Sequence, residues 1–212
     1  MATKAIILAR AGSKRIPNKN LVNLKGKPLI AYTIETALNC SSIQEVWVST
    51  NCPSIKRVAD ILGCKVIDRP EEMCADTSQS EEALLHFSEN VDFDTLVFIQ
   101  PTSPMLEVGD LSQGLSMMSQ GYDSVFSVRR DHWEPKWTMD VTPDGWDITN
   151  RPRSQDVELK YVENGAFYIT SKSLLELTKQ RYGGKIGVVE MPNYRSIQVD
   201  TKEDLILLEN LL

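Results

Sequence analysis

The chain of 212 residues carries 23 Lys and Arg against 29 Asp and Glu, a formal charge of −6. Such an acidic chain, with a pI near 5.1, lacks the broad basic face that nucleic acid backbone requires. At 42% hydrophobic and 25% charged, it has the balance of an ordinary globular domain and the length to bury one core.

Strand, loop and helix alternate along the chain. Ala5–Ala9 is a continuous apolar run, as in a central strand covered on both faces, and far too short to cross a membrane. A polar loop runs from Arg10 to about Lys27. Pro28 then opens a helix with Ile30, Ile34, Ala37 and Leu38 on one face. Val46–Thr50 reads as the second strand, and Pro53 begins a helix that Gly63 ends. Lys65–Ile67 is a short third strand, Ser80–Asn90 a helix, and Leu96–Ile99 a buried strand running into Gln100-Pro101-Thr102-Ser103-Pro104. A helix over Asp110–Gln120 leads to a strand over Ser124–Val128.

Residues 130–162 break the rhythm with three tryptophans (Trp133, Trp137, Trp146), three prolines and no periodic helix. This stretch is expected to leave the core as a hairpin-like dimerisation arm. Gly165–Ile169 resumes the sheet, Ser171–Lys179 is helical, and Ile186–Glu190 and Ile197–Asp200 are expected as late strands. Thr201 to Asp204 resembles a capping box for a last helix burying Leu205, Leu208 and Leu212. The pattern predicts one α/β domain over residues 1–212, Rossmann-like, with a mostly parallel sheet flanked by helices. Its four cysteines show no CxxC spacing, and only His86 and His132 accompany them, so free thiols in a reducing cytoplasm are expected rather than structural zinc.

Charge is laid out unevenly. Residues 1–34 hold seven cations and no acid, so the remainder carries −13. Four of the seven (Arg10, Lys14, Arg15, Lys19) sit in the loop after the first strand, where ligands of parallel sheets bind. With a single Gly12, this loop is neither a GxGxxG turn nor a Walker A sequence. Its chemistry suits phosphates, although cations can also simply solvate a loop.

The loop residues Ile7-Leu8-Ala9-Arg10, Ser13-Lys14, Ile16 and Lys19-Asn20, followed by Gly26-Lys27-Pro28-Leu29, resemble the signature of the CMP-sugar synthetases, the acylneuraminate cytidylyltransferases. The resemblance continues in order through Val48-Ser49-Thr50, Arg69-Pro70, Asp76-Thr77, Gln100–Pro104, Tyr122–Val128, Arg151-Pro152-Arg153, Glu163–Tyr168 and Val199-Asp200. It implies a nucleotide-diphospho-sugar transferase type of fold and the transfer of CMP from CTP to the anomeric hydroxyl of a nine-carbon α-keto sugar acid, with pyrophosphate released. It also implies a homodimer whose arm completes the sugar site of its partner.

By resemblance, Arg10, Lys14 and Lys19 hold the triphosphate, assisted by backbone N–H groups of Ala11, Gly12 and Ser13. Asn20 and Ser80 map near the cytosine or ribose; Ser80 alternatively caps the helix that follows. Magnesium is the implied cofactor and Asp200 its ligand, unless Asp200 merely caps the last helix. Gln198 stands where relatives often carry a second aspartate, which weakens its claim as a metal ligand. Arg15 stands where glycine is common, and Ser154 where a basic or amide residue is common. Gln100, Arg129, Arg153, Gln155, Tyr161 and Phe167 are candidates for the sugar, with core packing the alternative for Phe167. No general base is evident, His86 reads as structural, and Lys4, Lys25 and Lys27 as solvated. Rival readings are transfer to legionaminate, pseudaminate, KDN or Kdo, or a catalytically silent homologue.

Overall fold

The computed structural model describes residues 2–75 and 77–212, so Asp76 of the Asp76-Thr77 block lies outside the described residues. Strand β1 (Thr3–Leu8) lies between β4 (Glu45–Thr50) and β6 (Thr95–Ile99), parallel to both. Its Ala5, Ile6 and Ile7 are wholly buried, as an apolar run without alternation requires in a strand covered on both faces. Between them come a small hairpin, β2 (Asn23–Leu24) and β3 (Lys27–Pro28), and helix α1 (Leu29–Leu38). Helix α2 (Pro53–Ile61) and strand β5 (Lys65–Asp68) follow β4, and α3 (Ser80–Asn90) precedes β6. The remaining elements are α4 (Val108–Ser119), β7 (Ser124–Arg130), β8 (Tyr161–Ser171), α5 (Lys172–Thr178), β9 (Ile186–Glu190) and α6 (Lys202–Leu211).

The seven-stranded sheet has the order β5-β4-β1-β6-β8-β7-β9. Only β8 runs against its neighbours β6 and β7; the other pairings are parallel. This places the loops after β4, β1 and β6 at one edge, and the antiparallel β8 brings its first residues there too. One core cluster joins Ile7, Val48, Ile99 and Phe167 to α1, α2 and α4; a second joins Ile6, Phe98 and Tyr168 to α3 and α5. A third holds the site. Ile16 of the basic loop packs with Leu24, Leu29, Val199 and Leu208, so apolar burial joins the first loop to the segment carrying Asp200.

The expected late strand over Ile197–Asp200 does not form. A 3-10 turn over Asn193–Arg195 precedes it, and Val199 N–H reaches only Thr102 O (2.8 Å) instead of joining a ladder. Arg195 pins that turn inside the protein. Its guanidinium meets both Asp110 carboxylate oxygens at 2.5 and 3.0 Å, and Asp110 also closes the capping box at the start of α4. Pro28 is the N-cap of α1 rather than its first residue; Leu38, the last residue of α1, and Leu212, which follows α6, are exposed at 42% and 44%.

Beyond its ends, which pair Arg130 with Tyr161, the 130–162 excursion carries isolated bridges, Trp137 to Pro143 and Asp147 to Asn150, and a 3-10 turn over Ser154–Asp156 in place of a regular hairpin. Trp146 packs edge-on against Trp133 and Trp137, with Arg151 over the Trp133 and Trp146 rings. Met139, Val141 and Ile148 stay largely in water.

Candidate functional site

At the carboxyl edge of β1, β4 and β6 lies a cavity of about 390 Å³. Arg10, Ser13, Lys14, Arg15, Lys19, Asn20, Ser80, Gln100, Thr102 and Asp200 line it, together with Arg69, Ser78 and Phe98. The predicted phosphate-loop cations therefore share one wall with Asp200, from almost the other end of the chain. Lys19 Nζ donates to Asp200 Oδ1 at 3.0 Å and to Val199 O at 2.9 Å. Arg10 donates from NH1 to Cys74 O at 3.1 Å, which turns it across the loop that precedes α3. Asn20 is buried and reaches Arg10 O at 3.4 Å through Nδ2.

Local geometry removes the capping alternative at both Ser80 and Asp200. Helix α3 begins at Ser80, with Gln79 as its N-cap and no side-chain cap bond, so Ser80 faces the cavity as a first-turn residue. Helix α6 is capped by Thr201, whose hydroxyl accepts from Asp204 N–H at 3.3 Å in a closed capping box. That leaves the Asp200 carboxylate, half exposed, to its contact with Lys19.

Other predicted residues are placed differently. The Ala11 N–H donates to Asn51 Oδ1 at 2.9 Å. Glu71 in turn holds Asn51 through Nδ2. Gly12, at φ +79°, lines a narrow cleft beside Cys52 and Ile55 rather than the main cavity. Phe167 is fully buried against Gly114 of α4, where an added Cβ would lie 3.1 Å from the ring, so it is a core residue and not a sugar contact. Arg129, Arg153, Gln155 and Tyr161 lie outside the cavity of their own chain. Arg129 and Tyr161 flank the base of the arm, and Arg153 pairs with Asp156 at 2.5 and 2.9 Å. Lys4 and Lys27 are ion-paired with Glu45 and Glu35 rather than merely solvated.

Arg69 is a charged cavity residue that sequence reasoning passed over, seen there only as part of an Arg-Pro block; Ser78, Phe98 and Thr102 were not singled out either. Arg69 is 8% exposed and bonds Ser49 through Nε to Oγ (3.1 Å) and through NH2 to the carbonyl (3.3 Å). Burial lowers its pKa, yet a guanidinium keeps its charge, so the cavity acquires a fixed interior cation.

The donor set bears on magnesium. That ion takes oxygen ligands and is commonly held by one or two carboxylates together with substrate phosphates and waters. Among the described residues there is no group of three or more His, Cys, Asp or Glu arranged for a metal. Asp200 alone fits an ion delivered with a triphosphate. Gln198 does not fit: its Nε2 is bonded to Asn164 O and its Oε1 faces Thr102 Oγ1 at 3.4 Å, so the carboxamide is committed to the fold.

A family profile described as cytidylyltransferase matches residues 4–205. The chain belongs to the cytidylyltransferase family. It is 38% identical over 210 residues to an N-acylneuraminate cytidylyltransferase of Oncorhynchus mykiss, covering 94% of this chain and 48% of that protein. The chain thus spans about half the length of such relatives. Over the whole chain it is 34% identical to a CMP-N,N'-diacetyllegionaminic acid synthase of Legionella pneumophila, covering 97% of that protein. Its fold is that of a solved CMP:2-keto-3-deoxy-manno-octonic acid synthetase complexed with CTP, at TM-score 0.76 and 20% identity, covering 100% of this chain and 98% of that one. A 4-diphosphocytidyl-2C-methyl-D-erythritol synthase from Anaerococcus prevotii superposes at TM-score 0.71 with 14% identity, over 99% of this chain and 95% of that one. The sequence-based expectation of a mostly parallel α/β sheet of nucleotidyltransferase type therefore holds.

Proposed function

We propose that this member of the family transfers CMP from CTP to the anomeric hydroxyl of a nine-carbon α-keto sugar acid, releasing pyrophosphate. The observation that carries the reading is the meeting of Arg10, Lys14, Arg15, Lys19 and Arg69 with one carboxylate, Asp200, in a single cavity. Displacement at the α-phosphorus forms one P–O bond as the bond to the pyrophosphate oxygen breaks. Positioning and charge neutralisation serve this step better than covalent catalysis.

Lys19 binds the phosphates from a position pre-set by Val199 O and Asp200. Arg10 and Lys14 carry the leaving charge, and Arg69 contributes a cation that needs no ordering on binding. Asn20 and Ser80 orient the nucleoside, and Gln100 meets the sugar. Asp200 would hold magnesium, which when bound neutralises charge on the phosphate oxygens.

The exposed apolar arm supports a homodimer in which Arg129, Arg153, Gln155 and Tyr161 serve the neighbouring cavity. No helix among the described residues is long and apolar enough to cross a membrane, and all four cysteines are free, which supports a cytoplasmic reading. The whole-length match to the legionaminic acid synthase favours one second reading, transfer to legionaminate in place of an N-acylneuraminate.

The test is pyrophosphate release from CTP and magnesium with a panel of N-acylneuraminate, KDN, legionaminate, pseudaminate and Kdo. Release with a nine-carbon acid is expected. CTP binding without release for any acceptor would favour a silent homologue and remove the enzyme reading.

A further inference from the structure

Two carboxamide side chains, Gln198 and Gln100, converge around the missing Cβ of Gly165, and Thr102 lies between their oxygens. Gly165 has φ +70° and interrupts the β7–β8 ladder, where the register shifts between Phe126 and Val128. A Cβ built there would lie 2.4 Å from Gln198 Nε2 and 3.5 Å from Gln100 Nε2. Gln198 Nε2 donates to Asn164 O on the same strand, while its Oε1 lies 3.4 Å from Thr102 Oγ1. Thr102 Oγ1 is in turn 3.5 Å from Gln100 Oε1. Gln100 and Thr102 both line the cavity.

A threonine hydroxyl has one proton and here faces two carboxamide oxygens, which is why both contacts sit at the long limit of hydrogen bonding. Gln198 cannot turn, because its NH2 group is held by the Asn164 carbonyl. Gln100 can. We infer that Gln198 is a positioning residue: through Thr102 it sets the polarity of Gln100, so that Gln100 offers its carbonyl oxygen to a hydroxyl or amide N–H of the acceptor sugar. The donor chain then runs one way, from Gln100 Nε2 to Thr102 Oγ1, from Thr102 Oγ1 to Gln198 Oε1, and from Gln198 Nε2 to Asn164 O. Each contact in it then pairs one donor with one acceptor. A carboxylate at position 198 has no proton to give Asn164 O, so the chain requires the amide that this sequence carries.

This inference rests on the cytidylyl-transfer reading, and it opposes a metal role for Gln198. Steady-state pyrophosphate release is measured for wild type, Thr102→Val, Thr102→Ser and Gln198→Glu with the best acceptor of the panel, alongside calorimetric CTP affinity for each. Loss of one hydrogen bond to the acceptor predicts an acceptor KM raised about tenfold in Thr102→Val and Gln198→Glu. CTP affinity is expected to stay within about twofold of wild type, which also shows that the site is folded, and Thr102→Ser should restore the wild-type KM.

Unchanged acceptor KM in both Thr102→Val and Gln198→Glu, in an enzyme that turns over, would overturn this inference alone. So would a Gln198→Glu variant that needs less magnesium at unchanged acceptor KM, since a better ligand would then have replaced a poorer one. A wild type that binds CTP and releases no pyrophosphate with any acceptor would overturn the reading beneath it, and the inference with it.

Discussion

Lys19 and Asp200 form an ion pair with Lys19 Nζ 3.0 Å from Asp200 Oδ1, joining the first loop to the last across the mouth of the cavity. Lys19 also holds Val199 O, and Val199 packs with Ile16 behind it. The pair is thus fixed from behind by an apolar cluster and open in front. On the proposed function, an incoming triphosphate would compete with Asp200 for the ammonium and free the carboxylate for a cation.

Asp200→Ala is expected to abolish pyrophosphate release, and Lys19→Ala to weaken CTP binding about tenfold or more, read by calorimetry. Since the carboxylate is half exposed, the Asp200 variant should lose no more than about 1 kcal/mol of stability in denaturant unfolding. Normal turnover in Asp200→Ala would remove its assignment as the metal ligand.

The buried Arg195–Asp110 pair makes a separate demand on stability. Asp110→Ala leaves the guanidinium in the interior with Glu107 at 3.5 Å as its remaining carboxylate neighbour, and opens the capping box of α4. A loss of about 3 kcal/mol is expected in urea unfolding. The segment carrying Gln198 and Asp200 follows Arg195 directly, so turnover should fall further than CTP affinity. A stability change below about 1 kcal/mol would show that Glu107 takes over the pair.

Glu45 predicts the acid limb of stability. Hydrogen bonds from Lys65, Lys4 and Trp47 lower its pKa to about 2, against an ordinary value of 4.5. A depressed carboxylate stabilises the fold above its unfolded pKa and loses that contribution as pH falls through the folded one. Between pH 4.5 and about 2 the wild type should therefore lose melting temperature faster than Glu45→Gln, while the variant is the less stable at pH 7. Parallel melting curves for the two proteins across that window would show that the three bonds add nothing.

Gly165→Ala tests the notch around which the carboxamides gather. The backbone there is left-handed, which costs an L-residue about 1–2 kcal/mol, and the new methyl would strike Gln198 Nε2. The expected result is a melting point lowered by several degrees, with acceptor KM affected more than CTP affinity. An unperturbed acceptor KM would mean that Gln198 moves aside without consequence for Gln100.

What the sequence determined by itself is local or periodic. The apolar run of β1, the cationic loop that follows it and the Thr201–Asp204 capping box rest on near neighbours in the chain, and each is present in the structure. Tertiary structure decided what depends on distant partners. Arg69 enters the cavity because β5 pairs with β4 and carries it to Ser49, a relationship that no residue beside Arg69 encodes. Phe167 is drawn into the core because β8 alternates it with Tyr168 between opposite faces of the sheet, and the face it takes is the one closed by α4. Residues 197–200 read as a strand from their apolar alternation, but the burial of Arg195 against Asp110 holds them away from a ladder edge. Gln198, whose sequence context suggested a weakened metal ligand, has its amide committed by a glycine 33 positions earlier, since only the absence of a Cβ at Gly165 gives it room to bond Asn164 O.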